Sequence, residues 1–187
     1  MTAQSIVGEL HAAGRAYEEW AALTPILGDP TIGIHLAVML EPFLTYILDG
    51  RKTIESRFSK NAIAPYERVA EGDLVLLKAG PVVGSFRVSS VECVVVEDKD
   101  FLRIRRIYGK AICAEDDEFW EARAGKRHVT LIGVSDVRRL TPVPVSKRDM
   151  RGWVTLTAPR RSFDYLPVNE SQKGMYVQIT LPFESAL

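Results

Sequence analysis

The sequence predicts an α+β fold: a small mixed β-barrel with flanking helices and an extra helix at the N-terminus. Three observations carry this expectation. Two valine-rich runs, Val82–Val88 and Val91–Glu97, follow Leu74–Lys78, and turn signals at Glu71-Gly72-Asp73 and Ala79-Gly80-Pro81 separate the runs as in a β meander. A helical pattern from Asp98 to Ala114 interrupts the strands, which resume at His128. Many short strands around one helical excursion favour a small barrel, because closure removes exposed sheet edges.

Taken in chain order, Ile6, Leu10, Ala13, Tyr17 and Trp20 recur at steps of four and three, which lays one apolar stripe along a helix. Gly28, Asp29 and Pro30 end it. The stripe is read as packing on the domain, the commoner outcome for a single helix, with a coiled-coil seam for a homodimer as the alternative. The domain boundaries that follow are 1–30 for the N-terminal helix and 31–187 for the barrel with a C-terminal strand extension.

Ile34 to Leu40 reads as a strand. Glu41-Pro42 opens a short helix through Leu48, since proline suits a first helical turn, and Asp49-Gly50 closes it. The segment Arg51–Phe58 leaves that helix as a strand, on which Thr53, Glu55 and Arg57 share a face because side chains alternate. In the later helix Phe101, Ile104, Tyr108 and Ile112 are apolar, while Arg103, Arg106 and Lys110 line another face. Asp116 caps a second helix anchored by Phe119 and Trp120. Further strands are expected at His128–Val134, Asp136–Leu140, Trp153–Thr157 and Met175–Pro182, with loops at Thr141–Pro144 and 160–171.

Composition narrows the function classes. The chain has 187 residues, 47% hydrophobic and 26% charged, within the range of one ordinary globular domain. Basic and acidic residues balance at 24 each, yet they are unevenly spread. Residues 1–50 carry six acids against one base, and residues 138–161 carry seven bases against one acid. Such asymmetry points to nucleic-acid contact or to an ordinary solvated surface. Cys93 and Cys113 stand in apolar surroundings without ligand spacing, which predicts buried free thiols. No apolar run reaches the roughly 18 residues of a membrane span, and a cytoplasmic location is expected.

The segment Gly50-Arg51-Lys52-Thr53-Ile54-Glu55-Ser56-Arg57 resembles the GxKxxExR signature of the ASCH family, in a similar context of strand and short helix. The order of elements over about residues 33–157 is also similar. The resemblance implies a PUA-like barrel whose cleft receives Lys52, Glu55 and Arg57, with Gly50 permitting the turn from helix to strand. It also implies RNA binding, or in some members hydrolysis of N4-acetylcytidine or of RNA. In the acetylcytidine amidohydrolases a threonine stands three residues after the motif lysine, whereas here Glu55 holds that position.

Side-chain chemistry is compatible with these roles. Arg57 offers a planar fork and Lys52 a compact charge for a phosphate, and Glu55 can accept from the amino edge of a base. The same Glu55 and Arg57 would equally form an ordinary salt bridge. In an enzyme of this fold, Lys52 and Glu55 would be the catalytic pair. Arg103 and Arg106 with Tyr108 offer phosphate contact and base stacking, and Trp153 either walls the cleft or fills the core. His11, His35 and His128 form no evident acid/base pair. No metal-ligand cluster or cofactor is implied, so the expected partner is RNA or a nucleotide or nucleoside ligand.

Overall fold

A computed structural model describes residues 3–145 and 151–159, with backbone alone for Asp98 and Lys99. The strands are β1 (Ile34–Val38), β2 (Ile54–Ser59), β3 (Leu74–Lys78), β4 (Val82–Val95), β5 (His128–Val143) and β6 (Trp153–Thr157). They form one sheet in the order β2-β5-β4-β3-β1-β6. β1 and β3 are parallel and the remaining pairs antiparallel, so the sheet is mixed, as the sequence predicts.

The sheet curls into a half-barrel without backbone pairing between its edge strands β2 and β6. A side chain spans that gap: Arg57 of β2 donates to the carbonyls of Gly152, next to β6, and Val38, at the end of β1. Closure is therefore partial.

Helices cover the sheet. α1 (Ala3–Ala16), α2 (Glu18–Ala21) and α3 (Thr24–Leu27) place Ile6, Leu10, Ala13 and Trp20 in one core cluster with Ile34, Leu36 and Leu156. The expected single helix is broken at Tyr17, whose backbone is extended (φ −134°, ψ 135°) and whose side chain is 42% exposed. Beyond the break, Trp20 Nε1 donates to the Thr141 carbonyl across 2.8 Å. Ile6, Leu10, Ala13 and Trp20 of the stripe are thus buried in the protein's own core, while Tyr17 faces outward.

α4 (Phe43–Leu48) packs Leu44 and Ile47 with Val75, Leu77, Phe86 and Trp153. α5 (Asp98–Ile112) and α6 (Asp117–Glu121) set Ile104, Ile112, Phe119 and Trp120 against Val129 and Leu131 of β5. Asp116 caps α6 by accepting from the Phe119 N–H at 2.8 Å.

Several boundaries differ from expectation. The two valine-rich runs are one strand, β4, because β5 pairs with it from Val82 to Val95 across three register shifts. β5 likewise runs unbroken past Asp136, whose positive φ of 43° accompanies the local irregularity. It also takes in Thr141–Val143, expected as loop, since Val82 supplies a partner for Val143. Cys93 and Cys113 are half-buried free thiols rather than fully buried ones. The expected strand at 175–182, the loop at 160–171 and four of the seven bases of the C-terminal basic segment lie outside the described residues.

Candidate functional site

The site begins with a turn. Gly50, at φ 75°, lets the chain leave α4 in a left-handed conformation. The Lys52 N–H then donates to Tyr46 O of α4 (2.9 Å), and the Thr53 N–H to Ala111 O of α5 (3.0 Å). This double attachment directs Lys52 inward, where it is 2% exposed. Its Nζ donates to Ile112 O, at the C-terminal end of α5, across 2.9 Å. A cation there meets unpaired helix carbonyls and the negative end of the helix dipole.

Glu55, 4% exposed, answers this charge: its Oε2 lies 3.5 Å from Lys52 Nζ, and its Oε1 lies 2.7 Å from Arg57 Nε. The Arg57 contact is an ion pair by distance, without an N–H aligned along it. The Phe43 ring centre lies 5.2 Å from Lys52 Nζ. Burial is the largest influence on Lys52 and holds its pKa below the ordinary 10.5, against the opposing pull of Glu55.

These residues line a cavity of about 220 Å³ together with Val38, Met39, Ser56 and Phe58 of the sheet and Phe119, Arg123 and Lys126 after α5. Arg123 sits with its guanidinium carbon 3.3 Å from the centre of the Phe119 ring and donates to Phe119 O at 2.6 Å. Leu40, 75% exposed, stands at the edge of the same cavity. The cavity is therefore walled by aromatic and aliphatic groups, with one carboxylate and several cations.

The remaining predicted residues separate from this group. Thr53 is exposed while Glu55 is buried, because Thr53 precedes β2 and its backbone is engaged by α5 and by the Val134 N–H. Arg103 and Arg106 are exposed on α5 and do not line the cavity. Tyr108 lines a different cavity, where its hydroxyl donates to Glu92 at 2.7 Å; burial, then Glu92, pushes its pKa up to about 12. Trp153 is a buried core residue, and the Arg57 guanidinium carbon lies 5.3 Å from its ring centre. It walls a smaller neighbouring cavity with Arg57, Phe58 and Gly152.

Sequence reasoning missed Phe43, Ser56, Arg123 and Lys126. Ser56 and Phe43 were legible as neighbours of the motif. Arg123 follows Phe119 by four residues, the spacing of one helical face, and that was its available signal. Lys126 had none, since a turn brings it in.

No family model matches the chain, and no curated protein matches it. Among solved structures, ASCH from Zymomonas mobilis is similar over 63% of this chain and 76% of its own, at 16% identity and a TM-score of 0.49. The chain resembles ASCH domain structures. The N-terminal domain of Staphylothermus marinus McrB is similar over 74% of this chain and 92% of its own, at 14% identity and a TM-score of 0.40. Hypothetical protein PH0355 is similar over 58% of this chain and 97% of its own, at 15% identity and a TM-score of 0.41. No helix among the described residues is long and apolar enough to cross a membrane.

Proposed function

We propose that this is an ASCH-type domain that binds RNA or a nucleotide, taking a single base into the cavity around Glu55. The observation that carries the reading is the state of Glu55. Its carboxyl group is buried in a cavity walled by Phe43, Phe58 and Phe119, with Lys52 Nζ 3.5 Å from one oxygen and Arg57 Nε 2.7 Å from the other. A carboxylate offers about four acceptor sites, so acceptor capacity remains after Lys52 and Arg57 have met it. The aromatic walls suit the faces of a base, and the acceptor suits an exocyclic amine such as cytosine N4. A volume of about 220 Å³ falls below the range of about 300–1,000 Å³ usual for drug-sized ligands, which favours one base over a larger group.

In this reading Lys52 and Arg57 position Glu55 and are not the phosphate grip that their residue types suggested. Lys52 is spent on Ile112 O and Glu55, and Arg57 on two backbone carbonyls and Glu55.

Fluorescence titration with cytidine and uridine tests the reading. Wild type is expected to prefer cytidine by about tenfold, and Glu55→Gln to lose that preference, since one good base-edge contact discriminates by about 1–3 kcal/mol. Equal, weak binding of every nucleoside by both proteins would overturn it.

The lowered pKa of buried Lys52 favours a second reading, a hydrolase in which Lys52 and Glu55 act on a modified pyrimidine nucleoside or on RNA. Product analysis with N4-acetylcytidine and single-stranded RNA, on metal-free protein, decides it; product from wild type and none from Lys52→Met supports the enzyme.

A further inference from the structure

The cavity has a cationic lip that the base reading leaves unused. Arg123 and Lys126 both line it. The turn between them is closed by the Lys126 N–H donating to Arg123 O at 3.1 Å, and Gly125 within that turn has φ 73°. The two side chains thereby reach the same cavity. Lys60 follows the end of β2, and its carbonyl lies 3.2 Å from His128 Nδ1 at the start of β5, two residues after Lys126. Neither Lys60 nor Lys126 forms an ion pair with a carboxylate among the described residues.

The lip is also electrostatically strained. Burial foremost, and then Arg123 and Lys60, holds the Lys126 pKa below 10.5. Burial likewise lowers that of Arg123, which feels Glu55 across the cavity. Two cations, Arg123 and Lys126, line the opening, and Lys60 acts on Lys126 from beside it; with the carboxylate deeper inside, these like charges are relieved by an anion at the lip and not by one at the floor.

We propose that Lys60, Arg123 and Lys126 form a phosphate site at the mouth of the cavity, so that the ligand is a phosphorylated nucleotide, free or within RNA, and not a nucleoside. This rests on the base reading and extends it: base against Glu55, phosphate at the lip. Arg123 supplies a planar donor fork already fixed on Phe119, and the two lysines supply mobile point charges.

The test is calorimetric titration of wild type, Lys60→Ala/Lys126→Ala and Lys60→Arg/Lys126→Arg with cytidine, cytidine 5′- and 3′-monophosphate and a tetracytidylate RNA. Inorganic phosphate is titrated separately, read on the lysine side-chain NMR signals of the wild type. Wild type is expected to bind a monophosphate about tenfold or more tighter than cytidine, the worth of a charge-assisted contact. The alanine variant loses that gain with cytidine affinity unchanged, and the arginine variant keeps it. A gain seen with RNA alone assigns the site to polymer phosphate. A gain that survives the alanine variant, or a wild type that binds nucleotide and RNA no tighter than cytidine, overturns the lip site and leaves the base reading standing. If cytidine does not bind but inorganic phosphate shifts the Lys60 and Lys126 signals, the base reading falls and the lip site stands. If those signals do not move and no nucleotide binds, the lip site falls as well.

Discussion

Arg57 Nη1 donates to the carbonyl oxygen of Gly152 across 3.2 Å, and this contact joins the two edge strands that backbone pairing leaves apart. The same guanidinium reaches Val38 O at 3.1 Å and Met39 Sδ at 3.2 Å, while Nε faces Glu55. It is 22% exposed, so solvent weakens the bond little. The residue that the motif suggests as a ligand contact is also the tie across the open side of the half-barrel.

Replacing Arg57 with lysine should therefore destabilise the fold although charge is kept, because one ammonium cannot span two carbonyls and a carboxylate in a plane. The expected loss in urea unfolding is about 1–3 kcal/mol, the cost of leaving a buried carbonyl acceptor without its donor. Gly152→Ala should cost far less, since its Cβ would meet Arg57 Nη1 at 3.3 Å, a contact that a small shift relieves. Equal stability of Arg57→Lys and wild type would show that the seam is held by other contacts.

Lys52→Met leaves the Glu55 carboxylate with Arg57 as its remaining cationic partner in the pair. A loss of about 3–5 kcal/mol is expected, and Lys52→Met/Glu55→Met should regain much of it, because a buried pair replaced whole by apolar groups is often close to neutral. The pH dependence has a definite sign. With the folded pKa below 10.5, the unfolded state binds more protons between the two values. Wild-type stability should then rise relative to Lys52→Met as pH increases through that window. A constant difference would mean that Lys52 is not depressed.

Asp73 anchors a second buried network. Its Oδ1 accepts from the Gly33 N–H at 2.9 Å, and its Oδ2 from the Ala70 N–H at 2.8 Å and His35 Nε2 at 3.1 Å. Trp153 Nε1, a donor only, points at His35 Nδ1 from 3.3 Å, which places the histidine proton on Nε2, toward Asp73. Burial works to raise the Asp73 pKa, but these hydrogen bonds together hold it below 3.8. The stability it supplies is present above pH 3.8 and is lost as pH falls through the lower folded value. Asp73→Asn should cost about 3 kcal/mol near neutral pH and flatten the acid limb of the stability curve. An unchanged acid limb would exclude Asp73 from that transition.

The sequence by itself determined the α+β class and most of the elements, because alternation, 3.6-residue periodicity and turn residues are local properties of the chain. It also marked Lys52, Glu55 and Arg57, which fall within six residues and needed no long-range information to be grouped. The tertiary structure decided what each does. Lys52 meets Ile112 and Arg57 meets Gly152 across separations that no spacing rule encodes, and Arg123 and Lys126 join the cavity through a turn after α6. It also separated Tyr108 and Arg103 from the cavity, although their composition resembled a binding face. Side-chain type sets which partners are chemically suitable, but only the packing of the sheet and helices decides which of them come within reach.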